Sequence, residues 1–407
     1  MIALLAMILV LSILRKNSRL LQCDAKLSAK LTSLYLFSMM PPLGGIFRLK
    51  TLFLNTAIFP LLLLLSLSGR TALPENFIDL SDDVQAMLLE IEFFSEQGFS
   101  FWGDEFVAPS SQSYVKYLDD YASRAQIDFN LGNIRVETQK YDDHREVLSH
   151  AIISTLLTPA DPKQVDIYTA QDVGLTGEPF LLNKIKDHEG KVVAYRWRAE
   201  KYAEYLLKYK LRSRLVNGHK TYWVDIPLVK QFKQVSAQQY LPHVEKSARR
   251  HGLDEALIFS VIETESSFNP FAVSHSNAYG LMQVMPNTAG RDYFQRIKKR
   301  DIRPTRQYLF NAGNNIEVGS GYLSILRDIY LRGIHNSVSQ EYCMIAAYNG
   351  GAGQLLRSFH RDRKKAIAKI NSMTSQQVYH YIVKYHPKRE SRNYLKKVIK
   401  FKKKYAL

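Results

Sequence analysis

Apolar positions follow three successive patterns along this chain. Unbroken apolar runs come first, Met1 to Leu14 and then Thr51 to Ser68. The first is followed by Arg15, Lys16 and Arg19, and has the length of a signal-peptide core rather than of a full membrane span. The second follows Arg48 and Lys50 and runs into the small-residue stretch SLSG, which describes a secretory signal better. Residues 1–72 therefore read as a signal or anchor region. The part ahead of Met39 or Met40 is either an extra anchor or lies upstream of the true start, and a helical hairpin crossing the membrane twice is the alternative.

From about Leu73 to Val229 alternation takes over. Ile127, Phe129 and Leu131 alternate, as do Ile134 and Val136, with Gly132-Asn133 between them, and this predicts a hairpin. Pro179 to Lys186 and Lys191 to Trp197 suggest another pair around His188-Glu189-Gly190, and Tyr222, Val224 and Ile226 alternate after Asn217-Gly218. Helical spacing at Glu146 to Leu157 and Ala199 to Lys210 completes an α+β domain over 73–229. Adjacent Asp142, Asp143 and His144 read as a solvated loop rather than a metal site. With no concentrated chemistry, this domain reads as a scaffold or docking module.

Residues 230–239 are polar and strand-free, which predicts a linker. Helical patterns then follow almost without interruption over Gln239 to His251, Glu255 to Ser266, Asn315 to Tyr330, Gln340 to Tyr348, Gln354 to His360, Ser375 to Tyr385 and Glu390 to Lys402. Residues 240–407 read as an all-α globular domain.

A chain of 407 residues that is 46% hydrophobic is long enough for roughly two to three domains with real cores. Aromatic residues at 12%, with 24 tyrosines, read mainly as core. A formal charge of +17 predicts attraction to polyanions, whether nucleic acid, anionic lipid or an acidic envelope polymer. No RNA-recognition or helix-turn-helix signature accompanies that charge, so a specific nucleic-acid partner is disfavoured. Cys23 and Cys343 sit in different contexts, so no disulfide framework is expected, and Cys343 within EYCMIAAY reads as a small buried hydrophobe. Leu20-Leu21-Gln22-Cys23 is separated from the first apolar core by basic residues, which argues against a lipidation site.

Candidate chemistry is concentrated in Ser260 to Gln283. Asp254 reads as an N-cap, and Leu257, Ile258, Val261 and Ile262 form one apolar stripe on the helix that follows. At about 100° per residue, Glu265 projects from the middle of that stripe and Glu263 from nearly the opposite side. Glu265 is therefore expected to face inward and Glu263 to face water. A carboxyl on the apolar face loses hydration when charged, so its pKa rises and it can act as a general acid. The alternative places Glu265 just past the last packed turn, in solvent beside Ser266, Ser267 and the Asn269-Pro270 break.

Short motifs recur in order along the helical domain: Glu265-Ser266 at a helix end, Gly280-Leu281-Met282-Gln283 after a loop, and Ala347-Tyr348-Asn349 before Gly350-Gly351. They are joined by Asn269-Pro270 and by Met285-Pro286-Asn287-Thr288-Ala289. The last two motifs carry no carboxylate and offer amide, phenol and backbone groups suited to sugar hydroxyls and N-acetyl groups. Gly280 permits close backbone approach to a ligand, Met282 offers adaptable apolar surface to a pyranose ring, and Gln283 and Asn349 both donate and accept hydrogen bonds. Ser266 either binds substrate or bonds the helix backbone, and Tyr348 either bonds Glu265 or is core packing.

In that order and spacing the motifs resemble the catalytic domain of the family 1 lytic transglycosylases, which share the goose-type lysozyme fold and cleave peptidoglycan. From about Leu73 onward the chain is similar to the membrane-bound lytic murein transglycosylase C group, in which an α+β domain precedes the lysozyme-like catalytic one. No cysteine follows Thr51 to Ser68, where that group's lipoprotein signal would place one.

The resemblance implies that Glu265 is the single catalytic acid/base. It would protonate the oxygen between N-acetylmuramic acid and N-acetylglucosamine, then accept the proton of the muramic C6 hydroxyl as a 1,6-anhydro end forms. It also implies a tyrosine near the domain's end, best matched by Tyr394 in ESRNYL, with Tyr381 and Tyr385 as competitors. No cofactor or metal is needed. Peptidoglycan strands are the implied partner, with membrane association, other envelope enzymes as further partners, and a location on the periplasmic side of the outer membrane.

Competing functions stay open. A lysozyme-like hydrolase needs a second carboxylate, for which Glu317, Asp301 and Asp328 are available as solvated residues. A non-catalytic peptidoglycan-binding module needs no buried acid. The basic tail, with Lys396, Lys397, Lys400, Lys402, Lys403 and Lys404, could serve nucleic acid, lipid or simply solvation.

Overall fold

The computed structural model describes residues 94–161, 177–216, 218–274 and 276–406. Both apolar runs, and all of the expected signal or anchor region 1–72, lie outside the described residues.

Alternation in the sequence becomes an antiparallel five-stranded sheet. Its strands are β1 (Ser113–Leu118), β2 (Ser123–Asp128), β3 (Asn133–Thr138), β4 (Arg212–Val216) and β5 (His219–Pro227), in the order β1-β2-β3-β5-β4. Period-two patterning sets the register, so Tyr114, Ile127, Ile134 and Ile226 form one cross-strand row. Lys116, Ala125, Val136 and Val224 form the next row on the same face. Helix α1 (His144–Leu156) lies against β2 and β3, and its Ser154 accepts a 2.7 Å bond from the buried Lys116 ammonium. Helix α2 (Arg196–Tyr209) packs on α1. The opposite face holds the buried Arg124–Glu137 pair, 2.6 Å apart, under the ring of Trp102.

Several expectations are corrected. Pro179 to Lys186 and Lys191 to Trp197 do not pair as strands, because only a single bridge, Lys186–Val192, links them. The Asp187 carboxylate accepts the amides of Glu189 and Lys191, which diverts these donors from a ladder, and α2 already begins at Arg196. His144 is not a loop residue: it opens α1 with its ring stacked 3.9 Å from that of Tyr222. The segment 230–239 is not an extended linker. Phe232, Ser236 and Tyr240 are buried one turn apart and make it the start of α3 (Phe232–His251).

The remaining α-helices are α4 (Glu255–Ser266), α5 (Arg291–Arg296), α6 (Arg306–Phe310), α7 (Ala312–Ile325), α8 (Ser337–Gly350), α9 (Ala352–Phe359), α10 (Arg363–Asn371), α11 (Ser375–Tyr385) and α12 (Arg389–Tyr405). A wider turn, Leu326–Tyr330, extends α7. An α+β region thus precedes an all-helical one, and α4 runs between α3 and α12. Sheet and helices meet at Phe271, whose ring lies 5.8 Å from Tyr114, 5.3 Å from Phe180 and 5.9 Å from Phe310. This aromatic knot fixes the chain just beyond the end of α4. Cys343 is fully buried in α8, and burial pushes its thiol pKa up.

Candidate active site

Helix α4 carries Glu265 on its last turn. Asp254 caps the helix by accepting the Ala256 amide at 2.9 Å, and Ser267 ends it in the left-handed region at φ 50°. Helix α12 lies along α4 and places the Tyr394 hydroxyl 2.7 Å from Glu265 Oε1 as donor. Glu265 is half-buried, with its remaining exposure directed into a groove of about 450 Å³. Ser111, Thr264, Asn349, Glu390, Asn393, Tyr394, Lys396 and Lys397 complete the lining.

Loss of hydration pushes the Glu265 pKa up to about 8, the Tyr394 hydrogen bond opposes that rise, and the Glu390 charge adds to it. The carboxyl is therefore protonated at neutral pH. One of its oxygens accepts from Tyr394, which leaves the other to carry a transferable proton. Burial and the nearby Glu265 also raise the phenol pKa values of Tyr348 and Tyr394, so both remain donors.

Glu263 does not face water. It is 3% exposed and its carboxylate accepts from Lys404 at 2.8 Å and from Tyr405 at 2.6 Å, with Lys233 at 3.5 Å. The end of α12 covers the side of α4 that a helical wheel leaves open.

Other candidates fall into two groups. Ser266 is fully buried, and its hydroxyl reaches the carbonyls of Ile262 at 3.1 Å and Leu281 at 2.8 Å, so it ties α4 to the following loop instead of facing substrate. Gly280, at φ +74°, does permit a close approach, but to Asn315 and the Leu309 carbonyl: a Cβ there would lie 2.3 Å from the Asn315 amide nitrogen. Met282 is fully buried over Gly319 and offers no surface to a sugar. Its amide donates to Asn315 at 2.7 Å and its carbonyl accepts from Tyr348 at 2.8 Å. Tyr348 thus bonds the loop, not Glu265. Gln283 donates to the carbonyls of Ala272 and Gly280.

Asn349 and Tyr394 do reach the groove beside Glu265. Asn349 donates to Glu390 at 3.0 Å and accepts from Ser391 at 2.7 Å. The competing tyrosines lie elsewhere, since Tyr381 bonds Ser358 and its ring contacts that of Tyr385.

Asn315 and Glu390 are absent from the sequence-based set. Asn315, fully buried on α7, also donates to the carbonyls of Tyr279 and Leu309, so a single amide organises the whole Gly280–Gln283 loop. Nothing in the pattern singles it out. Glu390 is legible in retrospect, being four residues before Tyr394 and so on the same face of α12. None of the carboxylates considered for a hydrolase lines the groove. Glu317 is partly buried, not solvated, and His251, Arg250 and Tyr293 hold its carboxyl well below the usual range. Asp301 pairs with Arg291 and Asp328 with Arg327.

Comparison with known proteins bears on most of the chain. Residues 81–239 match the family model of the membrane-bound lytic murein transglycosylase C amino-terminal domain, and residues 242–371 match that of the transglycosylase SLT domain. The second match ends before α12, although α12 supplies Tyr394 and Glu390. A membrane-bound lytic murein transglycosylase C of Histophilus somni is 45% identical over 80% of this chain and 89% of its own. One of Yersinia pestis is 42% identical over 84% of this chain and 96% of its own. Among solved structures, the 70-kDa soluble lytic transglycosylase of Escherichia coli aligns over 40% of this chain and 23% of its own at 22% identity, with a TM-score of 0.31. By identity held across nearly the full length of these relatives, the chain belongs to the membrane-bound lytic murein transglycosylase C family.

Proposed function

We propose that this protein is a peptidoglycan lytic transglycosylase that cuts the β-1,4 bond between N-acetylmuramic acid and N-acetylglucosamine. The observation that carries this reading is Glu265, protonated at neutral pH, opening onto a groove and held by Tyr394. Glu265 gives its proton to the glycosidic oxygen as the C1–O bond breaks. The muramic C6 hydroxyl then bonds to C1 and its proton passes to the Glu265 carboxylate, which restores the acid and leaves a 1,6-anhydro end. Water is not consumed, so no second carboxylate is required. Asn349, which lines the groove beside Glu265, is the sequence-predicted amide best placed to hold a sugar substituent.

Family membership and the net charge of +17 support a place in the Gram-negative envelope, on the periplasmic side of the outer membrane, with peptidoglycan as the partner. The α+β region serves as a scaffold, contributing Ser111 to the groove and Tyr114 to the knot on Phe271.

Glu390 favours a second reading. It lies in the same groove, where a hydrolase would use it to activate water. Against that, Glu390 is exposed and held by Asn349, and its charge serves to keep Glu265 protonated.

The test is Glu265→Gln on purified sacculi. Loss of turnover by about 10²–10⁴-fold with binding retained is the expected result, and turnover at the wild-type rate would overturn the reading.

A further inference from the structure

A second cavity of about 440 Å³ is lined in part by the first residues of α9. Asn349 lines the catalytic groove, while Ala352 and Gly353 line this cavity. Three residues of chain span at most about 11 Å, so the two hollows are close neighbours. Tyr322 lines the second cavity, and its ring lies 5.7 Å from that of Tyr348, the residue next to Asn349 in the chain.

The lining is cationic. Arg357, Arg361 and Arg363 converge on it against a single acid, Asp292. Asp292 is already engaged, accepting from Tyr330 at 2.8 Å and from Arg296 at 3.3 Å. Arg363 is also committed, to the carbonyls of Ile329 and Tyr330. Arg357 and Arg361 have no hydrogen bond or ion pair among the described residues and are exposed. Helix α9 begins at this cavity without a side-chain cap, so its first N–H groups and positive dipole end add to the same field. Gly353 lets the Arg357 guanidinium come close, since a Cβ there would lie 3.2 Å from its Nη1.

Two free guanidinium groups beside an uncapped helix start form a receptor for a planar anion. We infer that this cavity holds a carboxylate on a muramyl side branch of the strand being cut at Glu265, so that Arg357 and Arg361 select acidic substituents. The inference rests on the peptidoglycan-cleaving reading. Such a carboxylate is carried by a peptide stem, or by the lactyl group once the stem is removed. A strand lying in the catalytic groove and passing Tyr322 brings either within reach.

The test measures steady-state cleavage by the full chain carrying Arg357→Ala and Arg361→Ala together. The substrates are native strands, strands stripped of stems, and stemmed strands whose carboxylates have been amidated. On native strands KM is expected to rise roughly tenfold with kcat unchanged, and the paired Lys variants should recover only part of the loss, since an ammonium keeps the charge but not the planar fork. On amidated strands wild type and variant should coincide. A loss retained on stripped strands shows that the freed lactyl carboxylate binds as well as the peptide's, and one abolished there shows that only the peptide's does. An equal change on native and amidated strands, or no change on either, would overturn the inference. Failure of the underlying reading looks different: wild-type protein would then release no product from any of the substrates.

Discussion

Tyr394 donates its phenolic hydrogen to Glu265 across 2.7 Å, joining α12 to α4 over 129 residues of sequence. The bond stabilises the charged carboxylate, whereas burial and the Glu390 charge stabilise the protonated acid. Under the proposed mechanism their balance sets the pH at which the site works.

Replacing Tyr394 by Phe removes the one contribution that lowers the Glu265 pKa. The alkaline limb of the pH–rate profile should therefore move upward, with kcat reduced about tenfold or more because the carboxyl loses its orientation. A profile measured on soluble glycan strands reads both effects.

Glu390→Gln acts in the opposite direction. Removing a like charge eases ionisation of Glu265, so the alkaline limb should shift downward. Because Glu390 is exposed, the shift should shrink as salt is raised. Complete loss of activity with Glu265 still protonated would instead identify Glu390 as a base.

Stability reports the same carboxyl independently of activity. A raised acid pKa means the folded state keeps its proton between about 4.5 and 8 while the unfolded chain loses it, so stability falls as pH rises through that window. Glu265→Gln removes this penalty. It should stabilise the protein by about 1–3 kcal/mol at pH 8 and leave it nearly unchanged at pH 4, as read by urea denaturation.

Loop architecture is separable from chemistry. Ser266→Ala should cost about 1–2 kcal/mol, with KM changed little, because its hydroxyl bonds the carbonyls of Ile262 and Leu281. Asn315→Leu strands the Met282 amide and the Tyr279 and Leu309 carbonyls, and should cost about 2–4 kcal/mol. A KM rise for Ser266→Ala at unchanged stability would return that hydroxyl to substrate binding.

Much of the fold was legible because period-two and helical spacing record which face each element buries. The presence of the β2–β3 hairpin and of α4 follows from such patterns, but the turn occupies 129–132 rather than Gly132-Asn133. Asp128 accepts the amides of Asn130 and Leu131, Leu131 is exposed in the turn, and Asn133 already pairs within β3. β1 does not, because polar Lys116 is buried along with Tyr117 and Leu118, which hides the alternation. Glu263 was misplaced for a related reason: a wheel describes one helix, and the partner covering Glu263 arrives from Lys404 and Tyr405.

At the site, motif order located Glu265 and its neighbourhood, but residue type did not say where each group points. Ser266, Gly280 and Met282 carry plausible ligand chemistry and are spent on the loop's internal hydrogen bonds and packing. Asn315 shows the converse, since an asparagine within a helix pattern gives no sign that three backbone groups depend on it.

The central claim is that a single acid acts with the sugar's own hydroxyl as nucleophile, and the mass of the released muropeptides tests it most directly. Products from purified sacculi should carry 1,6-anhydromuramyl ends, each lighter by one water than a reducing end. Products with reducing ends from the same digestion would contradict it and assign the water-activating role to Glu390.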